Sequence, residues 1–308
     1  MNARARGIIE ITIASIGFGF LGIFSKAAFA TGLSVGEFLS YRFTLAAAIL
    51  WIGILIFRPS WVRLSLKQIC TAGLLGIFGY AFFSTTYFTA IEGLSITLAA
   101  LLLYTYPFWV NIFSHFFTHD KVTKKEALYL GVASLGLIFL LWGHVEVKNA
   151  WAVLSGLASA ISYAGYVMIS ARVQKDVRPI SSALYVITFG AIALSLFHAP
   201  SAESISTITT SQALLVLGIA LVCTVLPLSL ELAALQKLRS KEVALLMMIE
   251  PLTATALGIL VLRESLGPLQ SLGAVLIVTA LVANTLKDKK ALQESASKSA
   301  DSLAKQTL

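Results

Sequence analysis

The sequence predicts an all-α membrane protein of ten transmembrane helices, arranged as two inverted five-helix repeats with both termini in the cytoplasm. The 308-residue chain is 57% hydrophobic and only 12% charged, whereas soluble domains carry about 25% charged residues. Its apolar residues form runs of about 20, the length at which a helix crosses a hydrocarbon core of roughly 30 Å. The second half of the chain also repeats the pattern of the first.

The apolar runs, named span one to span ten, follow one another along the whole chain. Ala28-Phe29-Ala30 resembles a signal-peptidase site, but the run before it is too long for a signal peptide and has a partner in span six. We therefore expect span one to stay in the membrane. The ten expected spans are 7–30, 36–57, 69–91, 94–117, 125–143, 150–171, 180–199, 211–235, 242–262 and 269–286.

Lysine and arginine concentrate in alternate loops. They lie before span one and after spans two, four, six, eight and ten, while the other loops hold little beyond Lys148 and Arg263. Short loops rich in lysine and arginine stay on the cytoplasmic side, so both termini are expected there. Membrane orientation also explains the net charge of +8 better than nucleic-acid binding does.

A shift of 144 positions superposes the two halves of the chain. We predict a first repeat at 1–145, an inverted second repeat at 146–286 and a polar cytoplasmic tail at 287–308. Because five is odd, the two copies enter the membrane from opposite sides, as suits alternating access around a midplane site. The equivalent pairs include Leu94–Leu238, Pro107–Pro251, Tyr87–Glu231, Tyr106–Glu250 and Asp120–Glu264.

Two glutamates, Glu231 and Glu250, interrupt apolar runs. A carboxylate in hydrocarbon costs roughly 2.5 kcal/mol or more, so such residues face an interior cavity, pair or titrate. We expect both to line a translocation path. The alternative is a structural ion pair or a position near the headgroups, and for Glu231 the basic residues Lys237 and Arg239 lie within reach of the same helix end.

Three further residues are candidates for gating. Pro107 and Pro251 each remove a backbone hydrogen bond within a span, so these kinks are either flexing points of two gates or static features of packing. Arg42 is expected to be a structural anchor or outer-gate residue that extends outward, with Lys26 and Glu92 as candidate partners; the alternative is direct contact with the substrate.

Tyrosines at mid-span positions are candidates for a cavity wall, because a buried phenol needs a hydrogen-bond partner. The expected wall residues are Tyr80, Tyr87, Tyr104, Tyr106 and Tyr163.

Motifs for other chemistry are weak. Gly17-Phe-Gly-Phe-Leu-Gly22 lies inside a span and is better explained by close helix packing than by dinucleotide binding. His115, His119 and Asp120 have spacing compatible with a metal but no further ligand, so we expect no metal. No nucleotide-binding or hydrolase motif occurs, which predicts neither an enzyme nor a cofactor, apart from possible proton coupling.

Several longer stretches resemble one known family. They are Tyr41-Arg42-Phe43, Ala99 to Pro107 continuing through Asp120 to Gly131, and Pro227 to Glu231 continuing through Ile249-Glu250-Pro251, Leu262-Arg263-Glu264 and Gly273. Over residues 8–286 the chain resembles an EamA-type bacterial member of the drug/metabolite transporter superfamily. It departs from the family pattern at Asp120, where the family usually has glutamate, and near Phe18, where it usually has tryptophan.

The resemblance implies a secondary transporter in the bacterial inner membrane, with a cavity walled by spans one, three, four, six, eight and nine. We expect a small-molecule substrate, an amino acid or related amphipathic metabolite moved outward. Alternatives are a drug, nucleobase or cation transporter of the same fold, or a non-transporting membrane scaffold. The lipid bilayer is the other expected partner, nucleic acid is not expected, and the oligomeric state is left open, a monomer being compatible with the sequence.

Overall fold

The computed structural model describes residues 2–118, 122–143, 147–173, 175–198, 206–263 and 265–286. Within these ranges the regular elements are helical, and helices occupy all ten predicted runs. In order of span, their bounds are Ala3–Gly19 with Leu21–Ala30; Val35–Phe57; Leu66–Leu74, Leu75–Ala81 and Phe82–Gly93; Ile96–Leu103 with Tyr106–Thr118; Lys124–Leu140; Ala150–Val173; Pro179–Phe197; Thr210–Ala220, Leu221–Val225 and Leu226–Leu235; Ser240–Leu246 with Ile249–Leu262; and Pro268–Leu286.

The helical stretches are long enough to test the membrane prediction. In the described part of the chain, nine of them have the length and apolar composition needed to cross a membrane. Span five is the exception, because its helix Lys124–Leu140 has 17 residues. The all-helical class is therefore confirmed for the described residues, while ten crossings and the orientation of the termini stay predictions.

Polar side chains define where several spans begin. In spans two, three, five and eight, a serine or threonine accepts a hydrogen bond from the third helical residue, whose own side chain accepts one in return. These capping boxes satisfy backbone N–H groups that have no partner within the helix. The pairs are Ser34–Glu37, Ser65–Gln68, Thr123–Glu126 and Thr209–Gln212.

Spans four and nine are each interrupted shortly before a proline. Tyr104 and Thr105 separate the two helices of span four, and Met247 and Met248 separate those of span nine. Proline cannot donate to the carbonyl four positions earlier, and the carbonyl of Met247 instead accepts from the backbone N–H of Glu250 at 2.9 Å. Under the shift of 144 positions, the two interruptions fall within one residue of each other.

Spans three and eight contain π-helical segments that the sequence did not predict. They are Leu75–Ala81 and Leu221–Val225. The shift that superposes the halves carries residues 77–81 onto 221–225, so the two π segments occupy equivalent positions. π-helical turns are rare and often accompany functional sites. Each leaves backbone carbonyls that need donors from elsewhere.

The helices group by packing into two units. One contains the helices of spans one to four and six to nine, and the other contains the helices of spans five and ten. This grouping records which helices pack together, and the repeat boundaries at 145 and 286 stay predictions. In the smaller unit, Gly136 and Gly273 let spans five and ten approach at the level of the backbone.

Glycines also bring span one against spans eight and nine. A Cβ on Gly17 would lie 2.8 Å from the carbonyl oxygen of Val222, and one on Gly19 would lie 2.6 Å from Cβ of Thr253. Gly22 has no such neighbour within 4 Å. The helix-packing interpretation of this glycine motif is therefore confirmed at its first two glycines.

Candidate functional site

Glu231 is a fully buried carboxylate in the last helix of span eight. Its Oε1 accepts a hydrogen bond from the Tyr163 hydroxyl at 3.0 Å. Its Oε2 has no hydrogen-bond partner among the described residues. The alternative of an ion pair at the helix end is wrong, because Lys237 pairs with Glu10 and Arg239 lies 3.6 Å from Glu242. A buried, half-satisfied carboxylate is costly unless a proton or a cationic group joins it.

Glu250 lies in the first turn after the interruption of span nine and is partly buried. Its carboxylate interacts with the side chain of Tyr104, which stands in the interruption of span four. It also interacts electrostatically with Glu231 and with Arg42. Two tyrosine–glutamate pairs, Tyr163–Glu231 and Tyr104–Glu250, therefore belong to one polar cluster.

An aromatic wall lies beside these carboxylates. The ring of Tyr163 is 4.8 Å from that of Tyr106 and 4.9 Å from that of Phe83. Phe83 in turn contacts Tyr80 at 5.7 Å and stacks on Tyr87 at 6.2 Å. The five tyrosines predicted from sequence are thus gathered with the two glutamates.

Tyr106 links the two interrupted spans. It is 2% exposed, and its hydroxyl donates to the backbone carbonyl of Ala244 at 3.0 Å. Ala244 belongs to the short helix that precedes the interruption of span nine, whereas Tyr106 begins the helix that follows the interruption of span four. Pro107 and Pro251 lie beside these interruptions, so the two candidate hinges flank the polar cluster.

Arg42 corrects an expectation. It is only 3% exposed, so it does not extend outward toward Lys26 or Glu92. Its Nε donates to Oγ1 of Thr224 at 2.7 Å, and its Nη2 donates to the carbonyl oxygen of Cys223 at 2.8 Å. Both acceptors belong to the π segment of span eight. Arg42 therefore anchors span two of the first half to span eight of the second.

The equivalent π carbonyls have different donors in the two halves. In span three, Oγ of Ser162 donates to the carbonyl oxygens of Phe78 at 2.8 Å and Gly79 at 3.3 Å. Gly79 and Cys223 are equivalent under the repeat shift. A neutral hydroxyl thus serves one half, and a cationic guanidinium serves the other.

Sequence reasoning missed two members of this cluster. Phe83 follows Tyr80 by three positions and precedes Tyr87 by four, the spacing of one helix face, but an apolar residue does not stand out in an apolar span. Thr224 is the repeat equivalent of Tyr80, so the superposed halves contain a signal for it.

Ion pairs close the end of the bundle that carries the N-terminus. Lys237, in the turn between spans eight and nine, binds both carboxylate oxygens of Glu10 in span one at 2.7 and 3.0 Å. Arg4 binds Glu242 at 2.9 Å. At the equivalent turn between spans three and four, Nζ of Lys148 donates to the backbone carbonyl of Glu92 at 3.5 Å, and a Cβ on Gly93 would lie 2.5 Å from Cβ of Ala152.

The expected metal-site and outer-acid residues lie mostly outside the described ranges. His119, Asp120 and Glu264 lie outside the described residues, as does the tail 287–308. In the part of the chain that is described, no three histidine, cysteine or acidic side chains form a group that could hold a metal ion.

Buried carboxylates, an arginine and phenols within apolar helices define a multi-pass membrane protein with a polar interior site, the arrangement that secondary transporters use. A sequence model described as the EamA-like transporter family matches residues 5–142 and again 150–286. The chain belongs to this family, within the drug/metabolite transporter superfamily.

Similar proteins agree with that membership. Uncharacterized transporter YcbK of Bacillus subtilis (strain 168) is 27% identical over 306 residues, which cover 94% of this chain and 97% of that protein. Threonine/homoserine exporter RhtA of Escherichia coli (strain K12) is 28% identical over 215 residues, 66% of this chain and 67% of that protein. A solved crystal structure with 17% identity superposes with a TM-score of 0.79 over 93% of this chain and 99% of its own, which shows a shared fold.

Proposed function

We propose that the protein is a secondary transporter of the bacterial inner membrane that exports amino acids or related amphipathic metabolites by alternating access. The observation that carries this proposal is Glu231, a fully buried carboxylate with one oxygen satisfied by Tyr163 and the other without a partner among the described residues. A substrate ammonium group or a proton would complete it. The name of RhtA, a threonine/homoserine exporter, supports amino acids as the substrate class.

The surroundings of Glu231 support a site for amphipathic molecules. The second carboxylate, Glu250, reinforces the attraction for a cationic group. The faces of Phe83 and Tyr163 offer apolar surface and cation–π contacts to the rest of the molecule. Transport then runs either as facilitated diffusion or as exchange of substrate for protons. In the exchange, a buried glutamate binds the proton and the substrate in turn.

The proposal includes a membrane arrangement. Both termini face the cytoplasm, ten helices cross the bilayer, and the two halves close the site from opposite sides. On this arrangement, the turn of Lys237 lies at the cytoplasmic end, and the turn of Gly93 lies at the outer end.

Counterflow by the purified protein in proteoliposomes tests the function. Vesicles preloaded with an unlabelled amino acid should accumulate the same labelled compound, with L-threonine, L-homoserine, choline and uracil as the panel. We expect flux for amino acids and a loss of about ten-fold or more in Glu231→Gln, because the amide cannot attract an ammonium group as a carboxylate does. Absence of counterflow for every panel member by the folded wild type would contradict the proposal, and flux of choline or uracil alone would replace the substrate class.

A second arm of the same assay addresses proton coupling. Glu250→Gln should lose the response of flux to an imposed pH gradient. Full flux that still responds to the gradient would exclude Glu250 as the proton carrier.

A further inference from the structure

The guanidinium of Arg42 uses only some of its N–H groups in hydrogen bonds. A guanidinium carries five N–H donors, and Arg42 uses Nε on Thr224 and Nη2 on the carbonyl of Cys223. Its other N–H groups, including both on Nη1, have no acceptor among the described residues. The residue is 3% exposed, and its guanidinium also lies 5.3 Å from the centre of the Phe43 ring, a cation–π contact. The N–H groups that remain unused are available to an anionic acceptor.

The neighbouring carboxylate is not that acceptor. Glu250 is within electrostatic range of Arg42, but the two form no direct ion pair in the described part of the chain. Arg42 is held by its hydrogen bonds to the π segment of span eight, and Glu250 interacts with Tyr104. The cluster therefore contains a positive and a negative group within electrostatic range of each other, with no direct ion pair between them among the described residues.

We propose that Arg42 binds the carboxylate of a zwitterionic substrate while Glu250 faces the substrate's ammonium group. This assignment rests on the proposed function and narrows its substrate class. The planar guanidinium fork can form two parallel hydrogen bonds with a carboxylate, which a lysine ammonium cannot do. The aromatic wall of Phe83 and Tyr163 then receives the substrate side chain.

The assignment separates amino acids from close analogues. An amino-acid amide keeps the ammonium group but has no carboxylate for Arg42, so it leaves the buried guanidinium without its acceptor. A site built for a polar group rejects an analogue that lacks it more strongly than an apolar pocket rejects a missing methylene. We expect the wild type to prefer L-threonine over L-threoninamide by about ten-fold or more in counterflow.

The preference ratio in variants tests Arg42 directly. Arg42→Gln should lower flux of L-threonine but not of L-threoninamide, so that the ratio falls to about one. Thr224→Val is the matched control, because it removes one tether and leaves the guanidinium, and it should lower both fluxes without changing the ratio. Arg42→Lys keeps the charge without the fork and should give an intermediate ratio.

The outcomes distinguish this assignment from the proposed function. A folded Arg42→Gln that still prefers L-threonine by the wild-type ratio would overturn it while leaving amino-acid transport intact. Absence of amino-acid counterflow in the wild type would remove both. If Arg42→Gln does not yield a monodisperse protein, thermal stabilisation of the wild type decides: L-threonine should raise the melting temperature and L-threoninamide should not, and equal stabilisation would overturn the assignment.

Discussion

Breaking the ion pair between Lys237 and Glu10 should open the N-terminal end of the bundle more often. Lys237 holds both oxygens of Glu10, and the two side chains are 20% and 16% exposed. The pair joins span one to the turn between spans eight and nine, so opening at this end must separate it. Lys237→Met removes the charge and most of the hydrogen bonding but keeps an unbranched apolar stem.

The size of the effect follows from the burial of the pair. Exposed ion pairs contribute about 0.2–1 kcal/mol, and hydrogen bonds to charged groups contribute about 1.5–3 kcal/mol when shielded. Because both side chains are one-fifth exposed or less, we expect the pair to contribute about 1 kcal/mol, between the two ranges. That value corresponds to roughly a five-fold increase in the open population.

Thiol labelling measures that population. Ser15 in span one is fully buried, and its Oγ lies 3.2 Å from Sδ of Met247. Ser15→Cys, placed in a background in which Cys70 and Cys223 are replaced by serine, reports access from this end. Cys223 contacts Arg42 through its backbone carbonyl, so Cys223→Ser keeps that hydrogen bond. Lys237→Met should speed labelling about five-fold.

Two comparisons make the result interpretable. The charge-swapped pair Glu10→Lys with Lys237→Glu should restore slow labelling. Lys67→Gln removes an exposed positive charge near the start of span three and should change labelling by less than about two-fold. Unchanged labelling in folded Lys237→Met, or failure of the swap to restore it, would refute the reasoning.

Two further predictions concern packing and flexing. Gly76 lies against the carbonyl of Val186, so Gly76→Ala should lower stability in detergent by about 1–3 kcal/mol. Gly165→Ala is the control: no atom lies within 4 Å of the added methyl, so it should be neutral or slightly stabilising. Equal effects of the two substitutions would contradict the close approach at Gly76. Pro251→Ala lets the backbone N–H of residue 251 donate to the carbonyl of Met247, which stabilises an uninterrupted helix by about 1 kcal/mol. Transport should therefore slow about five-fold at normal expression. An unchanged counterflow rate would rule out a hinge role for Pro251.

Much of the fold could be predicted because the bilayer imposes one-dimensional rules on the sequence. Runs of apolar residues indicate spans, and glutamates inside them indicate an interior site. The clustering of Glu231 and Glu250 with tyrosines follows from the cost of burying polar groups. The same rules do not predict the π segments, because a change in backbone hydrogen-bond register has no simple residue pattern.

Arg42 shows a second limit. Its position in span two suggested its depth and hence an outward extension, but depth does not give the direction in which the helix faces. Its acceptors, Cys223 and Thr224, lie 181 and 182 positions away, and only the packing of span two against span eight brings them together. A charge buried among distant segments therefore needs the tertiary structure before its role can be assigned.

The unequal donors at the two π segments have an evolutionary consequence. Two identical five-helix chains would have to place the same donor at both π segments. A guanidinium at one π segment would therefore require a guanidinium at the other. Joining the copies in a single chain frees each to diverge, and Ser162 and Arg42 are the product of that freedom. Cutting the chain into its halves and rebuilding it from two copies of either one should consequently lose the charge polarity on which discrimination between ligands depends.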